Sequence, residues 1–311
     1  MKYRRLGKTG LKVSVVGIGT WQYGGEWGKN FDEVEVKKIL NRGLDLGFNF
    51  IDTAECYGDH LSESLIGKAV KGTRKEWVIA TKFGHKFISH LNRETVWDVV
   101  GVKKQLEDSL RALQTDYIDL YQFHSGNDEV FNNDELWLML QNQVKEGKIR
   151  HLGISISNKE GINSLEQTKS ASKVGAEVIE AVYNRLDKYP EKEIFPSCVA
   201  QNLGVLARVP LASGLLSGKY KKGAEFAKND VRASKDQKLI DLQLEEIEKI
   251  MNSEVPKGTN MAEWAIAWSL KHNAVSSCIP GFKNIEQLES GAKAAELEMV
   301  SDDHAQAWKK E

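Results

Sequence analysis

Four ionisable side chains stand at, or just past, the ends of three apolar runs in the first half of the chain. Asp52 lies in NFIDT, Tyr57 follows it in CYG, Lys82 ends WVIATK, and His124 ends IDLYQFH. In a parallel barrel the carboxyl ends of the strands meet on one face, and that face carries the active site. Ionisable groups delivered there by successive strands indicate a proton-transfer site.

The types of these residues suit protonation of an oxygen atom. A free phenol has a pKa of about 10, and a nearby ammonium lowers it, so Lys82 is expected to make Tyr57 a better acid. Asp52 is expected to keep Lys82 charged, and His124 to hydrogen-bond a substrate oxygen and orient it. Such a site fits a carbonyl that receives a hydride. Since no side chain supplies hydride, a nicotinamide cofactor is expected.

Each of the four residues, taken singly, is more often structural. Tyr57 alone would be a packing residue, Lys82 or Asp52 half of an ion pair, and His124 a hydrogen-bonded ring. Their arrangement on consecutive strand ends favours the functional interpretation.

Short apolar runs alternate with amphipathic stretches along the whole chain, and the runs are continuous rather than alternating, as in parallel strands buried on both faces. Eight strand–helix units predict a (β/α)8 TIM barrel, read as one domain over 1–311. An N-terminal hairpin and a long loop-helix insertion after strand 7 (212–259, helix near 235–252) fall outside the repeat. The predicted strands are 13–19, 49–53, 77–82, 118–124, 149–155, 178–184, 204–210 and 275–281, and the predicted helices are 32–47, 61–70, 95–114, 133–148, 158–172, 191–202, 260–272 and 284–296.

Composition narrows the possible partners and the compartment. The 311 residues carry a net charge of −1, so neither nucleic acid nor a membrane is expected as a partner. No run approaches 18 apolar residues, which argues against a membrane span. The cysteines Cys56, Cys198 and Cys278 are far apart and show no metal-ligand spacing, so a cytoplasmic protein without a metal is expected.

The motifs resemble the aldo-keto reductase family, in its bacterial or archaeal branch. Matching stretches run in family order over essentially the whole chain. They are GIGTW (17–21), DTAECYG (52–58), SESLIGKA (62–69), IATKFG (79–84), RALQTDYIDLYQFH (111–124), KIRHLGIS (148–155), YN (183–184), PLASGLLSGKY (210–220), DVRAS (230–234) and IPGFKNIEQLES (279–290).

The resemblance implies a barrel that reduces aldehydes or ketones with NADPH, NADH being the second choice, and without a metal. Tyr57 would be the general acid, Lys82 and Asp52 would tune it, and His124 would orient the carbonyl. Trp21 would provide an apolar wall for the substrate. The positions implied to bind cofactor are Gly19, Thr20, Trp21, Asp52, Ser155, Glu180, Arg208, Leu211, Gly214, Leu215, Ser217, Lys219, Gly281, Lys283 and Gln287.

Several positions depart from the family pattern. Ile156 stands where Asn is expected and Glu180 where Gln is usual, so the nicotinamide carboxamide must be held differently, because a carboxylate cannot donate a hydrogen bond. Arg208 could stack on the nicotinamide. Ser290 and Gly291 replace a Glu-Asn pair that often contacts adenine. Lys283, expected near the 2′-phosphate, favours NADPH.

Two other functions were weighed against carbonyl reduction. Some relatives in this family are cofactor-binding sensor subunits of potassium channels, and such a subunit would bind NADPH with little turnover. A metal-dependent barrel hydrolase is disfavoured because the seven histidines form no HxH pair.

Overall fold

A computed structural model of the protein describes residues 1–308. Eight of its strands form one parallel sheet in the order β12-β11-β10-β9-β8-β5-β4-β3, and bridges between Val16 and Cys278 and between Gly19 and Gly281 join its two edges. The predicted (β/α)8 barrel is therefore confirmed. The strands are β1 (Tyr3–Arg5), β2 (Lys12–Ser14), β3 (Ile18–Gly19), β4 (Phe50–Asp52), β5 (Val78–Phe83), β6 (His85–Ser89), β7 (Asn92–Thr95), β8 (Ile118–His124), β9 (Ile149–Ser155), β10 (Ala176–Val182), β11 (Gly204–Arg208) and β12 (Ser277–Ile279).

The helices surround the barrel, and most of them begin at a side chain that caps them. Asp32, for example, accepts a hydrogen bond from the amide of Glu35, and α1 then buries Val36, Ile39 and Leu40 at helical spacing. The helices are α1 (Glu33–Asp45), α2 (Leu61–Ala69), α3 (Val99–Leu113), α4 (Asp128–Phe131), α5 (Asp134–Lys145), α6 (Ser164–Lys169), α7 (Ile194–Ala200), α8 (Gln237–Ser253), α9 (Met261–Leu270) and α10 (Ile285–Ala294).

The N-terminal hairpin forms as predicted and closes the amino-terminal end of the barrel. Strands β1 and β2 pair antiparallel, and Leu6 and Val13 of the hairpin are buried in a cluster with strand residues that include Phe50 and Leu120. The fully buried guanidinium of Arg4 donates hydrogen bonds to the carbonyls of Leu270 and Val275. One end of the barrel is thus sealed, which leaves the carboxyl ends of the strands as the open face.

The insertion after β11 also forms as predicted, and it has a small core of its own. Helix α8 buries Ile240, Leu244 and Ile247 against Leu215 and Trp264. Because Trp264 lies on α9, this second core attaches the insertion to the barrel wall. No helix within residues 1–308 combines the length and apolarity needed to cross a membrane.

Several stretches differ from their sequence interpretation, among them 85–94 and 158–172. The segment 85–94, expected as a loop, forms the antiparallel hairpin β6–β7, whose turn places Leu91 at a φ of +58°. No glycine or Asn-Gly pair marks that turn, so the usual hairpin signal is missing. The helix expected over 158–172 is reduced to α6, because Gly161 adopts a φ of +77° and the side chain of Asn163 caps a helix that begins only at Ser164.

Candidate active site

The centre of the open face is a buried ion pair between Lys82 of β5 and Asp52 of β4. The ammonium of Lys82, fully buried, donates to both carboxylate oxygens of Asp52 at 2.8 and 2.7 Å and to the carbonyl of Thr53 at 2.8 Å. All three donor protons are used. The strand ends that the sequence placed side by side therefore do bring these two groups into contact.

A second carboxylate joins this pair from the far side of the barrel. Oε2 of Glu180, on β10, lies 3.6 Å from Nζ of Lys82. The amide of Gln122, on β8, donates to Glu180 at 2.9 Å and to Asp52 at 3.3 Å, and the hydroxyl of Ser155 donates to Glu180 at 3.2 Å. Two buried carboxylates thus share one ammonium.

This arrangement shifts the pKa values of both partners upward. Burial and the neighbouring Glu180 carboxylate raise the pKa of Asp52 to about 8, although Lys82 acts in the opposite direction. Burial lowers the pKa of Lys82, but the two carboxylates outweigh it and raise the pKa above its ordinary value. Lys82 is therefore an ammonium throughout the neutral range.

Tyr57 lies beside Lys82 and beneath an aromatic wall. The ammonium is 5.3 Å from the centre of the phenol ring, and the ring stacks on Trp21 with a centroid distance of 6.0 Å and an interplanar angle of 19°. Burial raises the pKa of Tyr57, and the carboxylates of Asp52 and Glu180 add to the rise. The expectation that Lys82 lowers this pKa overall was wrong, because its effect is smaller than that of burial.

His124 ends β8 on the same face as the other three residues. Its Nδ1 lies 4.0 Å from Sγ of Cys56, and its ring centre lies 4.8 Å from that of His85. Burial, with help from His85 and Lys82, holds the pKa of His124 well below its ordinary value. The ring is uncharged at neutral pH, so one nitrogen can donate a hydrogen bond while the other accepts one.

Loops after the strands cover this centre and are tied together by Glu26. Its buried carboxylate accepts hydrogen bonds from Nε1 of Trp21 at 2.7 Å, from the guanidinium of Arg93 at 2.5 Å and from the amide of Leu91 at 2.8 Å. Arg93 and Leu91 belong to the unexpected β6–β7 hairpin. That hairpin therefore holds Trp21 in place over Tyr57.

The positions expected around the nicotinamide lie together at the barrel's carboxyl end. Thr20 donates through its hydroxyl to the carbonyl of Asp52 at 2.9 Å. Gly19 and Gly281 meet where the barrel closes, and a Cβ on Gly281 would lie 2.4 Å from the side chain of Gln22. Nε of Arg208 is 3.7 Å from Glu180, and its Nη2 donates to the carbonyl of buried Ile156 at 3.2 Å. Arg208 thus lies between Glu180 and the backbone of Ile156.

The segment expected over the pyrophosphate is a short turn with an unusual backbone. Ser213 and Gly214 both adopt positive φ values, +59° and +88°, inside the turn Ala212–Ser217. The hydroxyl of Ser217 is buried and has no hydrogen-bond partner among residues 1–308. An unpartnered buried donor beside a left-handed turn fits an anion such as phosphate. Leu211 and Leu215 pack in the second core, and Lys219 is exposed.

A cluster of cations lies between this turn and the end of β12. Nζ of Lys283 donates to the carbonyl of Trp27 at 2.6 Å, and its amide donates to Gln287 at 2.9 Å. Arg232 stands over the rings of Trp27, Tyr220 and Phe226 and is paired with Asp230 at 2.7 Å. Burial and Arg232 lower the pKa of Lys235, and burial lowers that of Lys283. This end of the site therefore favours a polyanion.

At the positions expected near adenine, the two departures from the family pattern have local explanations. Ser290 donates to Glu263 at 3.0 Å, and Gly291 lies so close to Phe282 that a Cβ would approach its ring to 2.4 Å. Phe282 thus occupies the space where a larger residue at 291 would stand.

Sequence reasoning missed Gln122 and gave no role to Arg232. Gln122 stands two residues before His124, and since alternate residues of a strand share a face, its inward orientation was readable. The hydrogen bonds from Gln122 to two carboxylates could not be predicted, because Asp52 and Glu180 are 128 positions apart and meet only in the closed barrel. For Arg232, in DVRAS, the sequence offered only the neighbouring Asp230 as a possible ion-pair partner and gave no indication of a binding role.

Comparisons with known proteins agree with this geometry. A family model described as the aldo/keto reductase family matches residues 15–310. The chain is 34% identical over 313 residues to the uncharacterized oxidoreductase YrpG of Bacillus subtilis (strain 168), covering 96% of this chain and 92% of YrpG. It is 30% identical over 311 residues to a probable voltage-gated potassium channel subunit beta of Arabidopsis thaliana, covering 96% and 92%.

A solved structure shows the same fold. The holo form of aldo-keto reductase AKR11C1 from Bacillus halodurans aligns with a TM-score of 0.80 at 30% identity, covering 98% of this chain and 94% of that one. The fold and the motif order define a barrel oxidoreductase. The chain belongs to the aldo/keto reductase family, as its motifs predicted, and it is an NAD(P)H-dependent oxidoreductase.

Replacing Lys82 by Met tests the shared ammonium. Removing one partner of a buried pair costs about 3–5 kcal/mol, because it leaves an uncompensated charge. Since the pKa of Asp52 is raised to about 8 in the folded state, its protonated form is favoured there and stability falls as pH rises through that value. Without Lys82 the pKa of Asp52 should be raised further. The difference in unfolding free energy between the variant and the parent should therefore grow above pH 8.

Urea unfolding of Lys82→Met at pH 6 and pH 9 measures this deficit. Lys86→Met, which removes an exposed lysine paired with Glu94, is the control and should change stability by less than about 1 kcal/mol. Equal, pH-independent losses in the two variants would contradict a shared buried ammonium.

Proposed function

We propose that this protein reduces aldehydes or ketones to alcohols with NADPH in the cytoplasm, and that Tyr57 is the proton donor. The observation that carries the proposal is the position of the Tyr57 ring, 5.3 Å from a buried ammonium whose three protons are already committed. Lys82 cannot itself donate to a substrate without leaving its partners. It can stabilise negative charge that develops on the phenol oxygen.

The raised pKa of Tyr57 makes the phenol a weaker acid but keeps it protonated at neutral pH, so that transfer relies on Lys82 to stabilise the phenolate. A phenol that stays protonated at neutral pH always holds the proton that the reaction needs. His124, uncharged at this pH, donates a hydrogen bond to the carbonyl oxygen and orients it. Hydride for the carbonyl carbon would come from a nicotinamide held at the carboxyl end of the barrel. Tyr57 then gives its proton to the oxygen, and Lys82 stabilises the phenolate until a proton returns from water.

NADPH rather than NADH is proposed because of the charges at the far end of the site. Half-buried Lys283 lies near Lys29 and Arg232, and Arg232 lies near Lys235, while Asp230 and Glu35 oppose these charges. A 2′-phosphate would replace the carbonyl of Trp27 as the partner of the Lys283 ammonium. Charge-assisted hydrogen bonds to phosphate are stronger than those to a neutral carbonyl, so the exchange is favourable. Ser217 and the turn at Gly214 would hold the pyrophosphate.

Glu180 is proposed to accept a hydrogen bond from the nicotinamide carboxamide. A carboxylate at this position also attracts the positively charged ring of the oxidised cofactor, whereas the reduced ring is neutral. Glu180 should therefore favour NADP⁺ over NADPH beyond what a neutral amide would do.

A cofactor-binding subunit with little turnover is the second candidate. The similarity to a potassium channel subunit beta favours it. An assay of NADPH oxidation with 4-nitrobenzaldehyde and methylglyoxal separates the two functions. Tight NADPH binding without turnover over a broad panel of aldehydes would support the subunit.

Tyr57→Phe should lower turnover by about 10²–10⁴-fold, because the proton donor is lost. The dissociation constant of NADPH, measured by protein fluorescence, should change less than about threefold. Tyr189→Phe, which alters an exposed tyrosine, should keep full turnover. A Tyr57→Phe protein with parental turnover would disprove the assignment.

Lys283→Ala should weaken the binding of NADPH by at least about tenfold and change the dissociation constant of NADH by less than about twofold. The reason is that only NADPH carries the 2′-phosphate. Titrations at two salt concentrations measure both constants. Lys293→Ala, at an exposed position of α10, is the matched control. An equal loss for both cofactors would argue against a contact with the 2′-phosphate.

Glu180→Gln should lower the preference for NADP⁺ over NADPH by about tenfold, as expected from loss of roughly 1.4 kcal/mol of electrostatic attraction. The measurement is the ratio of the two dissociation constants in parent and variant. Glu177→Gln removes a carboxylate on the same strand that pairs with His151 and should leave the ratio unchanged. If the ratio of the two dissociation constants is the same in Glu180→Gln as in the parent, Glu180 does not act on the nicotinamide ring.

A further inference from the structure

Three side chains with metal-binding atoms meet beside the proposed site in a way that carbonyl reduction does not require. A carboxylate oxygen of Glu55, Sγ of Cys56 and a ring nitrogen of His124 all lie within 4.8 Å of one another. Glu55 and Cys56 are 2% and 3% exposed, and His124 is partly exposed at the end of β8. Two neighbours on one turn and a third residue on an adjoining strand thus converge on one point.

The carboxylate of Glu55 lacks the partners that a buried acid needs. Oε1 accepts a hydrogen bond from the amide of His85 at 2.9 Å, but Oε2 is buried and has no partner among the described residues. An unpaired buried carboxylate oxygen is costly unless a donor or a cation satisfies it. The uncommitted oxygen belongs to the same carboxylate that faces the sulfur and the imidazole.

The set of donor atoms selects the kind of cation. Thiolate, imidazole and carboxylate together suit zinc, whereas magnesium and calcium prefer oxygen ligands alone. In a tetrahedral zinc site, sulfur at about 2.3 Å and nitrogen at about 2.0 Å from the metal lie about 3.5 Å apart. The observed 4.0 Å between Sγ of Cys56 and Nδ1 of His124 needs only a small rotation of either side chain.

The positive charges beside the site are paired with carboxylates. Lys82 is neutralised by Asp52 and lies close to Glu180, and Arg93 is paired with Glu26. Arg93 also hydrogen-bonds the side chain of Cys56, so zinc would take its place on the sulfur. His85, whose ring adjoins that of His124, has a buried Nδ1 without a partner in residues 1–308. Three protein ligands would leave the fourth position of the metal open to water.

We propose that Glu55, Cys56 and His124 form a zinc-binding site that inhibits the enzyme. Binding deprotonates the thiol of Cys56 and releases that proton to solvent, and no electron is transferred. The inhibition rests on the proposed function: zinc on Nδ1 would hold the His124 ring against Cys56, so that the ring could not turn its other nitrogen toward a carbonyl. The binding itself does not depend on the reaction.

Titration of the purified, chelator-treated protein with Co²⁺ tests the site without any assay of activity. One equivalent of Co²⁺ should give the near-ultraviolet absorption of a cobalt thiolate, and Zn²⁺ should abolish it. Loss of groups that merely support a metal ligand costs 10–100-fold in affinity, so loss of the Cys56 ligand itself should cost at least about 100-fold. Glu55→Gln, which keeps the acceptor for the His85 amide, should weaken binding by at least about tenfold.

Cys198→Ser is the matched control, because Cys198 is another buried free thiol and lies on α7. It should retain the cobalt absorption and the parental affinity for Zn²⁺, while circular dichroism checks that Cys56→Ala is folded. Absence of the thiolate band from the parent protein, or its persistence in Cys56→Ala, would overturn the site.

An activity assay tests the inhibition separately. Micromolar Zn²⁺ should lower aldehyde turnover in the parent and in Cys198→Ser, and a chelator should restore it, whereas Cys56→Ala should resist. If zinc binds at Cys56 and turnover is unchanged, the inhibitory role is wrong. If the parent reduces no aldehyde but gives the cobalt band, the proposed function fails and the site stands.

Discussion

The buried ammonium of Lys82 is the interaction on which the rest of the site depends. Its three protons are taken by Asp52 and the carbonyl of Thr53, and Glu180 stands just beyond them. An ammonium so deep in a barrel is stable only with carboxylates around it, and two carboxylates are stable only with the ammonium between them. Gln122 completes the arrangement by donating to both acids. Strands β4, β5, β8 and β10 are therefore linked by polar contacts at the open face.

The same network explains why Tyr57 is a protonated acid and not a phenolate. One nearby ammonium would lower the pKa of the phenol, but burial and two carboxylates raise it by more. Burial and the carboxylates therefore hold the proton on Tyr57. The ammonium of Lys82 acts in the opposite direction and would stabilise a phenolate once the proton has left.

Much of the fold and the main contacts of the site could be predicted from the sequence, for reasons that are local. Continuous apolar runs such as IDLYQFH mark buried parallel strands, and the residues at their ends share one face. Asp52, Tyr57, Lys82 and His124 therefore meet as expected. The β6–β7 hairpin could not be predicted, because Leu91 adopts a positive φ in its turn and no glycine or asparagine marks that position. The direction of the Tyr57 pKa shift could not be predicted either, because it depends on burial and on a carboxylate from a distant strand.

Glu180 shows how one substitution alters several properties of the site together. An amide at this position would leave Asp52 as the one charged partner of Lys82 among the described residues. The carboxylate instead adds a negative charge that raises the pKa of Asp52, lies 3.7 Å from Nε of Arg208 and accepts hydrogen bonds from Ser155 and Gln122. Arg208 in turn donates to the backbone carbonyl of Ile156. One carboxylate from β10 thus connects side chains of β5, β8, β9 and β11, so that a change at position 180 would act on all four strands.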